Sequence, residues 1–545
     1  MDYNKLAQLL FSNDETTPEY YEGLYPKRDL PENAQVTRIA PSPTGFIHLG
    51  NLFGALADER IAKQSGGVFY LRIEDTDEKR KVEGAVEAVL DSLGYFGLKF
   101  DEGAEIGGEY GPYYQRQRAQ LYRTYAKELV KKGLAYPCFC TEEDLSAVRD
   151  IQQENKENTG YYGKYAKCRD LTLEQIEQNI NAGLPYVLRL RSPGSVENKF
   201  AFEDEIKGKI TVTQNDLDIV ILKRDGIPTY HFAHVIDDHF MGTTLVVRGE
   251  EWVATLPIHL QLFELLGFDR PKYAHTAQLM KIDNGKKRKL SKRHDPELSL
   301  EYYKSLGYHP TAVKTYLMTL LNSNFEEWFL ANPERPIEEF EFSVSKMGQS
   351  GALFDTMKLD DISKTVMSGL EADDVLDFYE NWVKEYAAED YDVIFKNRDF
   401  IKKIVELQMA IGSKKRRKDF ICAKQMHSLF GYYFEEYFKP SYDFKLDNAT
   451  SKEILTKFLE TYDINDSNEI WFNKVKEIAE ALGFAVKMGD YKKNPEAYKG
   501  FVGDVAEIIR VAVTSIKNTP DLCTIMQIIG ETESKKRIED AIAKL

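Results

Sequence analysis

The segment from Arg38 to Asn51 restricts the fold of this chain more than any other part of its sequence. Val36 to Ala40 is an apolar-rich run that predicts a short buried strand, and the prolines and glycine that follow predict a tight loop. Apolar residues at helical spacing come after His48. A helix that starts there presents free N–H groups and a partial positive charge, which suit a phosphate group.

Two residues of this segment favour a nucleotide ligand. Gly50 has no side chain and lets a nucleotide lie against the backbone, and His48 can donate hydrogen bonds to phosphate oxygens as charge builds in a transition state. A bare His-x-Gly would favour the alternative, an ordinary turn with an incidental histidine. The complete segment predicts a nucleotide site.

Length and composition indicate a globular protein of several domains. The chain has 545 residues, of which 43% are hydrophobic and 12% aromatic, enough for three or four domain cores. It contains no long apolar run that predicts a transmembrane helix and no signal-peptide pattern at its start. Five cysteines do not form a disulfide framework in a chain of this size and favour a reducing cytoplasm.

The net charge of −16 argues against non-specific nucleic-acid binding over the whole surface. It leaves room for RNA recognition through a local basic face. Such a face is predicted at Lys414 to Lys418, five consecutive cations in a helical region. The alternative for this run is a solvated surface.

An acidic cluster follows the second predicted strand. Val68 to Ile73 predicts a strand that runs into Glu74 to Asp77. Acidic side chains at the carboxyl end of a parallel strand lie where doubly wound sheets bind ligands. A water-facing loop and a metal site are alternatives, but beside the first segment we favour a role in holding the ammonium group of an amino acid. Residues 1–35 form a polar leader to which we assign no chemistry.

Three cysteines and an aspartate have the spacing of a zinc knuckle. Cys138 and Cys140 are followed by Cys168 and Asp170, an acceptable tetrahedral ligand set. The polar stretch from Ile151 to Lys167 builds a poor core, which a metal would pin in place. The spacing alone favours the alternative, three reduced cysteines in a partly buried loop region.

Two later segments complete the nucleotide-binding pattern. His231, His234 and Asp237 repeat every three residues, but we interpret them as a half-buried segment under a pocket in preference to metal ligands. Arg248, at the end of a predicted strand, has a guanidinium fork able to grip a carboxylate. The basic loop that includes Lys289 to Arg293 predicts contact with a polyphosphate.

Together these segments resemble the bacterial type of glutamyl-tRNA synthetase, a family of class I aminoacyl-tRNA synthetases. The family's first signature corresponds to His48–Asn51 and its second to Lys289–Arg293, and Arg72–Asp77 and Tyr230–Trp252 match further family motifs. The resemblance covers nearly all of residues 36–360 and, more loosely, the helical C-terminal part.

The resemblance implies an α/β fold with a Rossmann-like parallel sheet, an inserted α+β domain and an all-helical C-terminal domain. The predicted parts are the leader (1–35), the first half of the catalytic domain (36–116), an inserted tRNA acceptor-binding domain (117–230), the second half of the catalytic domain (231–282), a connecting domain with the second signature loop (283–369) and an anticodon-binding domain (370–545).

It also implies that the protein attaches glutamate to tRNA-Glu as a cytoplasmic monomer, using ATP and Mg²⁺, with Zn²⁺ at the cysteines. The implied glutamate site comprises Arg38, Ser42, Glu74, Tyr230, His234, Arg248 and Trp252, although many relatives have Asn where this chain has His234. The implied ATP site comprises His48, Gly50, Asn51, Glu251, Lys289, Ser291 and Lys292, of which His48, Lys289 and Lys292 are catalytic. Lys414, Lys415, Arg416, Arg417 and Lys418 are the candidate tRNA contacts.

Several related functions stay open at this point. The enzyme can be a non-discriminating one that also charges tRNA-Gln with glutamate. A glutaminyl-tRNA synthetase is less compatible, because its relatives carry a β-barrel anticodon domain. A base-modifying paralogue lacks the anticodon part, small nucleotidyltransferases lack a large helical domain, and a non-catalytic RNA-binding relative does not need His48, Lys292 and Arg38.

Overall fold

The computed structural model describes residues 1–43, 47–78, 82–291 and 293–545. These residues form two compact units, the first from Met1–Tyr302 and Lys314–Asp355, the second from Tyr303–Val313 and Thr356–Leu545. Among the described residues no helix is long and apolar enough to cross a membrane.

The strands belong to the first unit. They are β1 (Val36–Ile39), β2 (Val68–Leu71), β3 (Glu102–Gly103), β4 (Ala135–Cys138), β5 (Val187–Leu190), β6 (Lys199–Asp204), β7 (Gly208–Thr213), β8 (Val220–Leu222), β9 (Leu245–Gly249), β10 (Lys272–Thr276), β11 (Leu279–Asp283), β12 (Lys286–Lys289) and β13 (Ala352–Leu353). The helices up to the unit boundary are α1 (Tyr3–Leu10), α2 (Pro18–Leu24), α3 (Leu49–Ser65), α4 (Ala85–Tyr95), α5 (Ala119–Lys131), α6 (Glu142–Glu154), α7 (Leu173–Asn181), α8 (Tyr230–Phe240), α9 (Leu256–Leu266), α10 (Leu300–Leu306), α11 (Pro310–Leu321) and α12 (Phe325–Ala331).

A parallel sheet forms the centre of the first unit, as the sequence predicts. β1 pairs with β2, β2 with β3, and β9 with β10, all in parallel. The Thr244 amide donates to the Val36 carbonyl (3.0 Å), which places β9 beside β1 and gives the order β3-β2-β1-β9-β10. The order reverses between β1 and β9. In doubly wound sheets the ligand lies at the carboxyl ends of the strands at this switch point.

The chain between α5 and α8 forms the inserted part of this unit. β4, β5 and β8 make an antiparallel sheet in the order β4-β5-β8, and β6 and β7 make a separate hairpin. α6 and α7 both begin with a threonine cap, Thr141 and Thr172, whose hydroxyls accept from the backbone. Strands and helices together give this part the α+β character that the resemblance implies.

The leader, residues 1–35, has a structural role in the first unit. α1 and α2 bury Leu6, Leu10, Phe11 and Tyr21 in a core shared with α5, α8 and α9. Leu6 repeats at helical spacing with Leu10, so the buried side of α1 was visible in the sequence. Residues 1–35 are therefore partly a packed layer of the first unit.

In the described residues of the second unit the helices are joined by loops, and no strand occurs. Its helices are α13 (Thr356–Gly369), α14 (Ala372–Tyr386), α15 (Tyr391–Ile394), α16 (Arg398–Met409), α17 (Ala423–Phe430), α18 (Asn448–Thr461), α19 (Asn468–Ala481), α20 (Met488–Lys493), α21 (Val502–Thr514), α22 (Leu522–Ile529) and α23 (Glu531–Lys544). One core lies mainly among α14, α16 and α17, and a second mainly among α18, α19, α21, α22 and α23.

Candidate active site and metal centre

A cleft of about 1640 Å³ opens at the carboxyl ends of β1 and β9. It brings together most of the residues singled out in the sequence: Arg38, Ser42, His48, Gly50, Asn51, Glu74, Tyr230, Arg248, Glu251, Trp252, Lys289 and Ser291. Lys292 lies outside the described residues. A volume above the usual 300–1000 Å³ or so of a small-molecule pocket suits more than one substrate at a time.

The start of α3 forms one wall of this cleft. The His48 amide donates to the side chain of Asn51 (3.1 Å), so Asn51 closes the first turn of the helix as well as lining the cleft. A Cβ atom at Gly50 would lie 3.1 Å from His48 Nδ1. Glycine at this position therefore leaves room for the imidazole ring beside the helix start.

A cluster of buried charges lies beneath the cleft, and only Arg38 and Glu74 of this cluster line it. Arg72 Nη1 donates to Asp238 Oδ1 (2.6 Å) and Arg72 Nη2 donates to Glu74 Oε1 (3.1 Å). Arg38 Nε lies 3.5 Å from Asp238 Oδ2, an ion pair in which that nitrogen makes no hydrogen bond to described residues. Although burial opposes its charge, the Asp238 carboxylate raises the pKa of Arg38. Burial raises the pKa of Glu74, against the effect of Arg72.

Asp237 and Asp238 are consecutive buried residues of α8 for which the sequence predicts no place in the site. Asp237 accepts from Arg118 Nε (2.7 Å), from the Tyr122 hydroxyl and from Gln115. It is fully buried and lies away from the cleft lining. The interpretation of this segment as a structural layer beneath a pocket, in preference to a metal site, agrees with these partners.

Arg248 and the rings of Tyr230 and Trp252 form another wall of the cleft, with Tyr273 buried behind them. The rings of Tyr230 and Trp252 lie 4.9 Å apart, and the Arg248 guanidinium lies over the Tyr273 ring at 4.8 Å. His234 is buried below Tyr230, with Nε2 3.2 Å from the Tyr273 hydroxyl. His234 therefore supports the aromatic wall from beneath and does not line the cleft.

A hairpin of β11 and β12 lies at the rim and leads into the second signature, whose first residue, Lys289, ends β12. β12 pairs with β11, which leaves Lys289 exposed beside the cleft and Leu290 buried as an anchor. Asp295 accepts two hydrogen bonds from Arg288 (2.6 and 2.8 Å) and one from the Ser291 amide (2.8 Å). The hydrogen bond from Arg288 lowers the pKa of Asp295. This carboxylate fixes the backbone from which the predicted phosphate contacts extend.

The three predicted thiol ligands converge, but Asp170 does not join them. The Sγ atoms of Cys138, Cys140 and Cys168 all lie within 4.8 Å of one another, and Cys140 Sγ is 3.7 Å from Cys168 Sγ. Two thiolates on a tetrahedral zinc with bonds of about 2.3 Å lie about 3.8 Å apart. Asp170 is 87% exposed and pairs with Arg191 at 3.2 Å.

Tyr161 takes the place expected for Asp170. Its hydroxyl lies 3.3 Å from Cys140 Sγ and 3.5 Å from Cys138 Sγ, and it accepts from the Cys168 amide at 3.1 Å. Hydrogen bonds from Cys140 and Cys168 lower the pKa of the Cys138 thiol. No sequence pattern marks Tyr161, because a tyrosine within a Tyr-rich loop is not distinctive.

The basic segment Lys414–Lys418 lies in the second unit after α16. Lys414 and Lys415 are exposed and take part in none of the ion pairs found among the described residues. Arg416 pairs with Glu371 (3.0 Å) and Arg417 with Asp419 (2.6 Å). Two of the five cations are thus partly neutralised within the unit.

Comparison with known proteins identifies the family. Residues 35–361 match the model described as tRNA synthetases class I (E and Q), catalytic domain. The chain belongs to this class I synthetase family. Residues 497–542 also match an anticodon binding domain, which confirms the predicted fold class of this synthetase.

Individual relatives align with this synthetase over nearly its full length. A glutamate–tRNA ligase of Acetivibrio thermocellus is 53% identical over 545 residues, covering 99% of this synthetase and 100% of the relative. A glutamate–tRNA ligase of Clostridium beijerinckii is 47% identical, covering 99% of each chain. A crystal structure of a glutamate tRNA ligase from Elizabethkingia meningosepticum, in complex with its amino acid, has a TM-score of 0.75 at 28% identity and covers 94% of this synthetase and 100% of that chain.

Proposed function

We infer that this synthetase attaches L-glutamate to tRNA-Glu in two steps. The α-carboxylate of glutamate attacks the α-phosphate of ATP, giving glutamyl-adenylate and pyrophosphate. The terminal ribose hydroxyl of the tRNA then takes the glutamyl group and releases AMP. The glutamate–tRNA ligases that match along the whole chain support this assignment.

One observation carries the choice of amino acid. The cleft holds two buried arginines, Arg38 and Arg248, together with the buried carboxyl group of Glu74. Glutamate carries two carboxylates and one ammonium group, so each of its charges finds an opposite partner. Glutamine is nearly isosteric but would leave one buried cation without a carboxylate, and an unpaired buried partner is the strongest basis for rejecting a substrate.

Each residue then has a positioning role. Arg38 pairs with the side-chain carboxylate, Arg248 supplies the second cation, and Glu74 with Ser42 faces the α-amino group. Tyr230 and Trp252 cover the aliphatic part of the substrate. No side chain acts as a covalent nucleophile, because holding the carboxylate in line with the α-phosphate is itself the main source of rate.

The nucleotide lies between the two signatures in this proposal. His48, at the start of α3, donates to phosphate oxygens, and Gly50 and Glu251 lie beside the nucleotide. Lys289, Ser291 and Lys292 offset the charge that develops as pyrophosphate leaves. Mg²⁺ accompanies ATP, as in class I synthetases generally.

Aminoacylation with separate tRNAs tests the function. Purified protein is given tRNA-Glu or tRNA-Gln with radiolabelled glutamate or glutamine, and His48→Ala is expected to lose about 10²- to 10³-fold in rate. Glutamate on tRNA-Glu alone supports a discriminating enzyme, and glutamate on both tRNAs a non-discriminating one. Transfer of glutamine contradicts the amino-acid assignment, and no transfer at all favours a non-catalytic RNA-binding role.

We also propose that Cys138, Cys140 and Cys168 hold a structural zinc ion, with the Tyr161 oxygen in the fourth position. The sulfur spacing, the burial of all three thiols and the hydroxyl among them support this set. A bound ion would stabilise the loop between Cys140 and Cys168 and with it the inserted acceptor-binding part. Its role is structural, since a closed four-ligand site leaves no position for substrate.

Metal analysis of purified variants tests the ligand set. We expect about one zinc per chain in the wild type, none in Cys168→Ser and weaker retention against a chelator in Tyr161→Phe. Asp170→Asn is the matched control and should keep its zinc. Loss of zinc from Asp170→Asn, with retention in Tyr161→Phe, would restore the ligand set expected from sequence.

The remaining features concern the cellular context. The cytoplasmic location stays a prediction from the low cysteine content of the sequence. The helical second unit, with the exposed pair Lys414 and Lys415, supports contact with the anticodon arm of tRNA. The monomeric state stays a prediction.

A further inference from the structure

A continuous series of hydrogen bonds runs behind the wall of the cleft, through Asp204, His275, Arg248, His259 and His231, here called the Arg248 network. The successive distances are 2.6, 3.1, 3.1 and 2.9 Å. The five side chains come from β6, β10, β9, α9 and α8. Only His231 and Arg248 line the cleft, while His259, His275 and Asp204 lie behind it with at most 1% exposure.

Chemistry fixes the direction of every bond in this network. A guanidinium only donates, so His275 Nε2 and His259 Nδ1 must both accept from Arg248. A neutral imidazole carries one proton, which therefore lies on Nδ1 of His275 and on Nε2 of His259. These protons are donated to Asp204 and to His231. Burial lowers the pKa of His259 and His275, which keeps both rings neutral.

Asp204 is built to hold one tautomer of His275. Its Oδ1 accepts from the amides of Ile206 (3.0 Å), Lys207 (2.8 Å) and His275 (3.3 Å), which leaves Oδ2 for the His275 ring. Although burial opposes ionisation, the hydrogen bond from His275 lowers the pKa of Asp204. The carboxylate thus stays ionised and acts only as an acceptor.

The partners of Arg248 leave its charge unneutralised. Its side-chain contacts among the described residues are two imidazoles, the Tyr273 ring and a distant carbonyl of Trp252 at 3.5 Å, and they include no carboxylate. A carboxylate in place of His275 would orient the guanidinium equally well but would compete with the substrate. With the imidazole in between, the negative charge of Asp204 is one residue removed.

We propose that Asp204 and His275 are positioning residues that aim Arg248 at a carboxylate of the amino acid and leave its positive charge available to that substrate. This inference rests on the proposed function, in which Arg248 binds glutamate. Asp204 belongs to the β6–β7 hairpin of the inserted part, so a residue outside the nucleotide-binding halves contributes to amino-acid affinity.

The variant Asp204→Asn tests the proposal with little change in shape. If Oδ1 keeps its backbone bonds, the new amide nitrogen donates to His275 Nδ1 and drives the ring proton to Nε2, where it meets the donor of Arg248. In aminoacylation of tRNA-Glu we expect the KM for glutamate to rise about tenfold to a hundredfold while the KM for ATP stays within about twofold. Glu203→Gln, the same charge change on an exposed neighbour, should match the wild type.

A double-mutant cycle separates positioning from general stability. In an Arg248→Gln background, Asp204→Asn should raise the KM for glutamate no further, because its effect passes through Arg248. His275→Gln, whose amide both donates and accepts, should retain more glutamate affinity than His275→Leu, and this pair decides the matter if Asp204→Asn fails to fold. Equal losses in that pair, additive losses in the cycle, or equal rises in the KM for ATP and glutamate would each overturn the proposal. Failure of the wild type to charge tRNA-Glu would overturn the proposed function instead.

Discussion

Arg72 and Arg248 are both buried arginines at the carboxyl ends of strands in one parallel sheet, but their partners are of opposite character. Arg72 is enclosed by Asp238, Glu74 and Asp237, at 2.6, 3.1 and 3.7 Å. Arg248 is held by the imidazoles of His275 and His259. A cation paired with carboxylates is satisfied within the protein, whereas a cation held by neutral acceptors keeps its charge for a ligand.

The same residue type, arginine, therefore has two different roles in this sheet. Arg72 and its carboxylate partners form a charge-balanced cluster below β2, and removing the Arg72 charge should affect folding. The Arg248 network behind β9 positions a charge that no carboxylate neutralises, and removing the Arg248 charge should affect substrate affinity. Arg38, with a single ion pair at 3.5 Å to Asp238, is intermediate between them.

The largest expected effect is on stability, from Arg72→Met. The change leaves the buried Asp238 carboxylate without its closest cation, and breaking a buried pair costs about 3–5 kcal/mol. Urea unfolding followed by circular dichroism measures the loss. Stability equal to the wild type would show that the cluster below β2 does not hold the sheet together.

Arg248→Met is the matched substitution behind β9. It should have the opposite pattern of effects, with a small loss of stability and a large loss of activity. We expect the free energy of unfolding to change by less than about 2 kcal/mol, because losing two hydrogen bonds is offset by no longer burying an unneutralised cation. The kcat/KM for glutamate should fall by a factor equivalent to about 2–4 kcal/mol. A variant that unfolds like Arg72→Met but binds glutamate normally would reverse our assignment of the two regions.

Acid should destabilise the region behind β9. Burial, reinforced by Arg248, lowers the pKa of His231 from 6.5 to about 4, and burial also lowers the pKa of His234 and His259. The folded state therefore binds fewer protons than the unfolded chain below about pH 6.5, so stability falls as pH decreases toward 4. We expect the Tm to drop by several degrees between pH 7.5 and pH 5.

The variant His231→Gln gives the control for this pH dependence. It removes one imidazole that must stay neutral, so the Tm should depend less steeply on pH than in the wild type. An unchanged slope would assign the acid sensitivity to other groups.

The smallest effect is expected at exposed cations of the second unit. Lys414→Ala with Lys415→Ala should weaken tRNA binding and reduce the slope of log K against log salt by about one for each lost phosphate contact. Lys492→Ala with Lys493→Ala, another exposed adjacent pair, is the matched control. Equal behaviour of the two pairs would make the basic segment an ordinary solvated surface.

Local patterns in the sequence were sufficient for much of the site. The strand, loop and helix start from Arg38 to Asn51 depend on apolar spacing, proline and glycine, all of which act within a few residues. The same holds for the convergence of Cys138 with Cys140 and for Glu74 at the end of β2. Among the described residues, β1 ends just before the loop, α3 begins after His48, and Glu74 follows β2.

The partners of those residues could not be predicted in the same way. Tyr161 replaces Asp170 beside the thiols because the intervening loop folds back, and α1 joins the core through contacts with the distant α5. Asp204 and His275 are 71 residues apart, and neither belongs to a motif. Local sequence patterns extend over a few residues and cannot predict a contact between residues that far apart in the chain.

By itself the sequence determined the family, the parallel nucleotide-binding sheet and the charged residues that line the cleft, because these follow from short-range periodicity and from contiguous motifs. Only the tertiary structure decided which buried arginine is neutralised and which is not. That distinction depends on side chains that distant strands and helices bring within 3 or 4 Å of each guanidinium, where the charge and hydrogen-bonding direction of the partner set the role of the residue.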